Sequence, residues 1–162
     1  MANSNSSTGL DNPDSLLSIT QRKKDIQQAL IDNYDEFNQI VNYLENDPAS
    51  FSCKKEKGKI ILQIKYENEP ASQIIDINEV EVGEQIEYVI NDLGFSGIGE
   101  SDDYIIFGRH KGAHPYGGSY WQGLYFNKSN AGKNKIQEYD GIAGETVLLN
   151  DEWYYGFERY AS

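Results

Sequence analysis

The sequence predicts an α+β domain: a mostly antiparallel sheet of about five to seven strands, a long N-terminal helix and a second, shorter helix. Apolar residues recur with helical spacing in two segments and fall into short alternating runs elsewhere. The resulting order of helix, strands, helix, strands favours an antiparallel sheet with helices on one face. The chain has 162 residues, which suits one domain. We expect residues 1–14 to form a flexible polar tether and residues 15–162 to form the single domain.

The two predicted helices are amphipathic. Residues 20–46 predict one long helix, ended by Pro48, because the residue before a proline disfavours the helical conformation. Gly94 ends the second helix, since glycine readily adopts the left-handed conformation found after a helix. The apolar stripes consist of Ile26, Leu30, Tyr34, Phe37, Val41 and Leu44 in the first helix, and of Ile86, Val89, Ile90 and Leu93 in the second.

The predicted strands are short and bounded by turn residues. Residues 51–55 and 59–66 flank a hairpin turn, and Asn150-Asp151 joins the last two strands. The remaining strands are predicted at residues 74–77, 104–107, 120–127, 146–149 and 152–160. The lone cysteine, Cys53, excludes an internal disulfide and is expected to be a small buried hydrophobic residue.

The negative charge of the chain is concentrated in one segment. Residues 67–103 contain eleven acidic side chains and no Lys or Arg, against a net charge of −12 for the whole chain. Such a segment repels nucleic acid and attracts basic proteins, so we expect no nucleic-acid partner. The predicted acidic partner surface consists of Glu84, Glu87, Asp92, Asp102 and Asp103. The acidic residues around Asp102 do not have the spacing of an EF-hand calcium loop.

Residues 108–121 predict a long loop between two strands, and long surface loops often carry function. The candidate ligand-binding residues are Arg109, His110, His114, Tyr116, Tyr120 and Trp121. The two histidines are four residues apart, but the glycines and Pro115 argue against a helix and no third ligand is nearby. A general base would need a positioned nucleophile or carboxylate, which the sequence does not supply. We therefore predict no metal, no cofactor and no catalytic residue.

Aromatic residues crowd the C-terminal part of the chain. Thirteen of the twenty lie in residues 104–160. Alternation puts Trp153 and Tyr155 on one face of their strand and Tyr154 and Tyr160 on the other. Two aromatic faces indicate either helices on both sides or an exposed recognition surface for sugars, peptides or proteins.

Two of these segments, together with the N-terminal run, resemble uncharacterised small lipoproteins of Gram-positive bacteria. The segments are GGSYWQGLYF at residues 117–126 and DEWYYGFE at residues 151–158, and a Ser/Asn-rich run occupies residues 2–9. In the lipoproteins a YWGxYY-like strand precedes a terminal WYYY-like strand. This chain differs by Gln122 between Trp121 and Gly123 and by having no visible lipid-bearing cysteine. The resemblance implies extracytoplasmic anchoring, and it implies no activity and no site residues.

Three functions remain open. The first is a non-enzymatic binding domain for a protein or surface glycan, secreted or lipid-anchored outside the membrane, with a cytoplasmic location as the alternative. The second is an acidic immunity or inhibitor protein that neutralises a basic toxin or nuclease. The third is a small hydrolase. No stretch of the sequence approaches the roughly 20 apolar residues that span a bilayer.

Overall fold

The computed structural model of the protein describes residues 13–46, 50–129 and 131–160. They form an α+β fold with one antiparallel sheet of nine strands and three α-helices. The helices are α1 (Leu16–Asp32), α2 (Tyr34–Asn46) and α3 (Gly83–Glu87), which continues as a turn of π-helix over Tyr88–Asp92. None of the described helices is long and apolar enough to cross a membrane.

The prediction of one long N-terminal helix is wrong, because a break at Asn33 separates α1 from α2. The Asn33 side chain donates to the carbonyl oxygen of Ala29 at 2.9 Å and accepts from the hydroxyl of Tyr88 at 2.6 Å. These contacts hold Asn33 in a non-helical conformation with φ −130°. The apolar stripe continues across the break, so periodicity alone predicts a continuous helix.

The sheet has nine strands rather than five to seven. In spatial order they run β3-β2-β1-β4-β5-β6-β9-β8-β7. Two strands were missed in the sequence: one contains two glycines and the other is fully exposed, so neither shows hydrophobic alternation. The strands are β1 (Ser50–Glu56), β2 (Lys59–Lys65), β3 (Gln73–Ile75), β4 (Gly97–Glu100), β5 (Tyr104–Ala113), β6 (Ser119–Asn127), β7 (Tyr139–Gly141), β8 (Gly144–Asn150) and β9 (Trp153–Tyr160).

The predicted long loop at residues 108–121 is instead a β-hairpin. β5 runs on to Ala113 and β6 begins at Ser119, so only residues 114–118 connect them. The register shifts between Gly108 and His110, which makes Arg109 the extra residue of a β-bulge. Gly108 and Gly112 therefore lie within a strand, although in the sequence they resemble loop residues, whereas Gly117 and Gly118 lie in the turn with positive φ.

The core lies between the helices and one face of the sheet. Phe37 of α2 is fully buried, and its ring packs edge-on against Phe95, Phe107 and Trp153 at centroid distances of 5.4, 5.2 and 5.7 Å. The predicted apolar stripes of both helices contribute to this core, and Cys53 is buried in it as expected.

The two faces of the sheet differ in what covers them. Phe107, Leu124 and Tyr155 are paired across β5, β6 and β9, and they face the helices in the core. Their neighbours along each strand point the opposite way. We call this second side, on which none of the three α-helices packs, the open face.

The predicted tether falls almost entirely outside the described residues, which begin at Pro13. Its last residue, Asp14, is bonded to the folded part, since its backbone N–H donates to the carbonyl oxygen of Ala113 at 3.0 Å.

Candidate binding surfaces

The six candidate ligand-binding residues do not form one site. Tyr120 is buried on the helix side of β6, while Trp121, the next residue, points to the open face. Arg109 and His110 lie at the bulge of β5. His114 and Tyr116 belong to the turn of the hairpin. These neighbours in the sequence therefore lie in four places: the helix side of β6, the open face, the bulge of β5 and the turn of the hairpin.

Tyr120 belongs to a polar network that fastens the start of α1 to the sheet. Its hydroxyl donates to a carboxylate oxygen of Asp14, and Arg22 donates to the same oxygen at 2.8 Å and to the Tyr120 hydroxyl at 2.6 Å. The hydrogen bond from Tyr120, with support from Arg22, lowers the pKa of Asp14. Burial and the contact with Asp14 raise the pKa of Tyr120 to about 12. The network gives Tyr120 a structural role and leaves it no free hydroxyl for a ligand.

His110 is held in its neutral form. Burial, followed by the charges of Arg109 and Arg22, lowers the pKa of its imidazole to about 4. Nε2 lies 3.2 Å from Nη1 of Arg109, whose Nε donates to the carbonyl oxygen of Leu93 at 3.1 Å. Arg109 thus links the bulge to the end of the α3 segment.

The turn of the hairpin forms one wall of a groove beside the start of α1. The groove has a volume of about 490 Å³ and lies between α1, the turn and the β7–β8 hairpin. His114 is buried there, and its Nδ1 accepts from the backbone N–H of Tyr116 at 3.1 Å. Tyr116 is 70% exposed on the rim. The fold keeps His114 and Tyr116 together, with ring centroids 5.6 Å apart, and the Tyr120 ring also lies 6.3 Å from that of His114.

Trp121 lies on the open face across a row of glycines. Gly97, Gly108, Gly123 and Gly156 are paired directly across β4, β5, β6 and β9. A Cβ placed on Gly108 would lie 2.9 Å from Nε1 of Trp121, and one placed on Gly123 would lie 2.7 Å from its ring. The missing side chains make room for the indole.

Polar groups surround Trp121 on the neighbouring strands. Lys111 on β5 and Glu158 on β9 are its direct cross-strand partners. The Tyr160 hydroxyl donates to Glu158 at 2.7 Å. Burial, followed by the charge of Glu158, raises the pKa of Tyr125. The bond to Glu158, together with burial, raises the pKa of Tyr160 to about 12.

The remaining aromatic rings extend this arrangement into one cluster. Tyr125 packs against Trp121 and Tyr104 at centroid distances of 5.3 and 5.7 Å. Within the described residues, the indole N–H of Trp121 and the hydroxyls of Tyr104 and Tyr154 form no hydrogen bond. We call the set the open-face aromatic cluster: Tyr104, Trp121, Tyr125, Tyr154, Glu158 and Tyr160.

The acidic residues divide between two regions. Glu84, Glu87 and Asp92 lie on α3 and its π-helical continuation. Asp102 and Asp103 lie in the β4–β5 turn, where the carbonyl oxygen of Asp103 accepts from the backbone N–H of Lys128 at 2.9 Å.

The helical layer is strongly acidic apart from the first half of α1, which carries Arg22, Lys23 and Lys24. Residues 25–46 and 76–92 contain eleven Asp and Glu side chains and no Lys or Arg. None of the eleven forms an ion pair within the described part of the chain; the recorded pairs use Asp14, Glu56, Glu100, Glu145 and Glu152. The negative surface is therefore broader than the α3 residues, because α1 and α2 contribute to it.

Among the described residues no group of three or more His, Cys, Asp or Glu side chains is placed to hold a metal ion. Comparisons with family models, with curated proteins and with solved structures find no match to this chain.

Sequence reasoning missed the role of Glu158 and of the glycine row. A detectable signal exists for Glu158, which alternates with Tyr154, Gly156 and Tyr160 on one face of the last strand. The glycine row carries no such signal, since it exists only when four separate strands are aligned.

Proposed function

We propose that this protein is a non-catalytic binding domain whose open-face aromatic cluster binds a glycan. The observation that carries the proposal is the Trp121 indole, which lies on a row of glycines; among the described residues its N–H forms no hydrogen bond and no α-helix covers it. An uncovered sheet face is ordinarily polar. Here Tyr125 is buried, Tyr104, Trp121 and Tyr154 are partly exposed and Tyr160 is exposed, and clustered aromatic rings that reach the surface favour an interaction site.

The chemistry of the cluster suits a sugar chain. Tyr and Trp rings offer broad apolar faces to the C–H groups of a sugar ring, while their polar tips reach its hydroxyls. The Glu158 carboxylate accepts from Tyr160, and a carboxylate has further lone pairs for sugar hydroxyls. Lys111, Trp121 and Glu158 lie side by side on adjacent strands and span about 10 Å, given the usual strand spacing.

Affinity electrophoresis through gels that contain neutral, N-acetylated or uronic-acid polysaccharides tests the proposal. At least one polymer should retard the protein, and Trp121→Ala should abolish the retardation. Tyr116→Ala is the matched control, because Tyr116 is an exposed aromatic residue outside the cluster. Retardation that Trp121→Ala leaves unchanged, or no retardation by any polymer, would rule out glycan binding by this face.

An inhibitor of a basic protein is the second candidate, favoured by the eleven acids of the helical layer that form no ion pair with another described residue. Such a surface accelerates association with a cationic partner, and the effect weakens with salt because the Debye length falls from about 10 Å at 0.1 M to about 3 Å at 1 M. With a basic ribonuclease as probe, Glu84→Lys combined with Glu87→Lys should slow association. Glu67→Lys combined with Glu69→Lys makes the same charge change away from α3 and should have a smaller effect. Equal effects of the two pairs would exclude α3 as the contact surface.

An extracytoplasmic location remains part of the proposal. It rests on the Ser/Asn-rich run at residues 2–9 and on the lipoprotein-like aromatic segments. Fractionation of the native cell tests it: protein recovered only from the cytoplasm would contradict it.

A further inference from the structure

The outer edge of β8 is only partly covered. β7 pairs with Gly144, Glu145 and Thr146. Within the described residues no strand pairs with residues 147–150 on that side, while β9 occupies the other side. An uncovered strand edge presents backbone groups that another chain can pair with.

The Glu138 side chain hydrogen-bonds the uncovered edge of β8 at Leu148. The backbone N–H of Leu148 donates to a carboxylate oxygen of Glu138 at 2.9 Å. In an antiparallel strand the N–H and C=O of one residue point to the same side, so Leu148 presents both groups to the outer edge. The Glu138 carboxylate thus stands where the carbonyl of a tenth strand would stand. We call residues 135–138 the strap; the Thr146 hydroxyl also holds it by donating to the carbonyl oxygen of Gln137.

An apolar cavity of about 390 Å³ lies beside the same part of β8, between β8 and α1. Ile31 is 68% exposed there, which leaves a large apolar side chain uncovered. The cavity is lined by Gln27, Leu30, Ile31, Tyr34, Leu149 and Asn150. In strand addition, main-chain hydrogen bonds supply affinity, and pockets for alternate side chains supply specificity. The edge of β8 offers unpaired backbone groups for the hydrogen bonds and an adjacent cavity for a side chain.

The acidic side chains around the cavity favour a positively charged ligand. Asp32, Asp35 and Asp151 are exposed and directly follow lining residues in the chain. The Tyr34 hydroxyl lies 3.4 Å from the Asp151 carboxylate, so the start of α2 meets the β8–β9 turn beside the cavity. The strap adds Glu138, and its Lys135 is paired with Glu152 at 3.5 Å, so the border has a net negative charge and complements a positively charged segment.

We infer that the edge of β8 accepts an extended basic segment of another protein as a tenth strand. The segment displaces Glu138, pairs with Leu148 and places an apolar side chain in the cavity beneath Ile31. This surface is the edge of the sheet, not the open face, so the inference is independent of glycan binding by Trp121.

A fluorescein-labelled heptapeptide that alternates lysine with valine or leucine tests the inference by fluorescence anisotropy. The control peptide has the same side chains, but the amides that would face β8 are N-methylated. It should bind about tenfold more weakly, because a methylated amide cannot donate to the Leu148 carbonyl oxygen and its methyl group holds the two strands apart. Equal binding of the two peptides would show that no strand forms.

Two exposed apolar residues of α1 give matched variants of the protein. Ile31→Lys removes apolar surface from the cavity and should weaken binding about tenfold or more. Leu17→Lys introduces the same charge at a residue that is 79% exposed and outside the cavity lining, so its effect should stay within about twofold. Equal losses in the two variants would overturn the assignment to the cavity.

Hydrogen exchange at the Leu148 amide locates the peptide. Glu138→Ala should speed exchange at this amide, and the bound peptide should slow it again. Binding that leaves the Leu148 amide unprotected would contradict strand addition at this edge. A dimer of Glu138→Ala that forms without peptide and protects Leu148 would identify a second copy as the occupant and overturn the basic-segment assignment.

Discussion

Replacing Gly123 by alanine tests the glycine row on which Trp121 lies. A Cβ at this position would lie 2.2 Å from the carbonyl oxygen of Phe107 and 2.7 Å from the Trp121 ring. The Phe107 oxygen belongs to the backbone of the neighbouring strand, so the sheet itself must shift. Overpacking of this kind costs about 1–3 kcal/mol. For a domain of this size that predicts a fall in melting temperature of roughly 2–12 °C.

Gly99→Ala is the matched control for this change. Gly99 lies on the same open face, in β4, and a Cβ there would meet nothing within 4 Å. Because alanine restricts the unfolded chain, this variant should be unchanged or about 0.4–1 kcal/mol more stable. Urea denaturation followed by circular dichroism compares the two variants. Equal stability of Gly123→Ala and Gly99→Ala would show that the sheet tolerates a side chain at Gly123.

Three further predictions concern the core and the buried titratable groups. Phe37→Asp should cost at least about 3 kcal/mol, because it removes a buried ring and buries a charge; an unchanged denaturation midpoint would show that α2 is not docked. His110 has a folded pKa of about 4, below its ordinary value of 6.5, so the unfolded state binds the proton first and stability should fall as the pH drops from 6.5 to 4. His110→Gln should flatten that part of the stability profile, and identical profiles would exclude His110 as its source. Burial raises the pKa of Cys53 to about 12, so a thiol reagent at neutral pH should label it much faster in urea than in the native state; equal rates would contradict its burial.

The apolar periodicity predicted the core well and the element boundaries less well. Ile26, Leu30, Phe37 and Val41 are all buried as their spacing indicates. The break at Asn33 escaped prediction because Tyr88, which holds it, is 55 residues away in the chain.

The candidate site was partly predictable. Alternation along β6 and β9 places Trp121, Tyr125, Tyr154 and Tyr160 away from the core, and the register confirms that placement. It could not reveal that Tyr120 is tied to Asp14, because that contact depends on how the chain before α1 meets the sheet. Short-range patterns fix which face a residue takes, whereas partners distant in the chain decide whether its polar group is free.

Acrylamide quenching of tryptophan fluorescence tests glycan binding by the open face most directly. Trp153 is fully buried, so the quenchable emission of the native protein reports Trp121. A polysaccharide that retards the protein in gels should shield Trp121 and reduce quenching, with saturation at the concentration that saturates retardation. Quenching that stays the same while the polysaccharide is bound would contradict the account, since the ligand would then lie elsewhere on the protein.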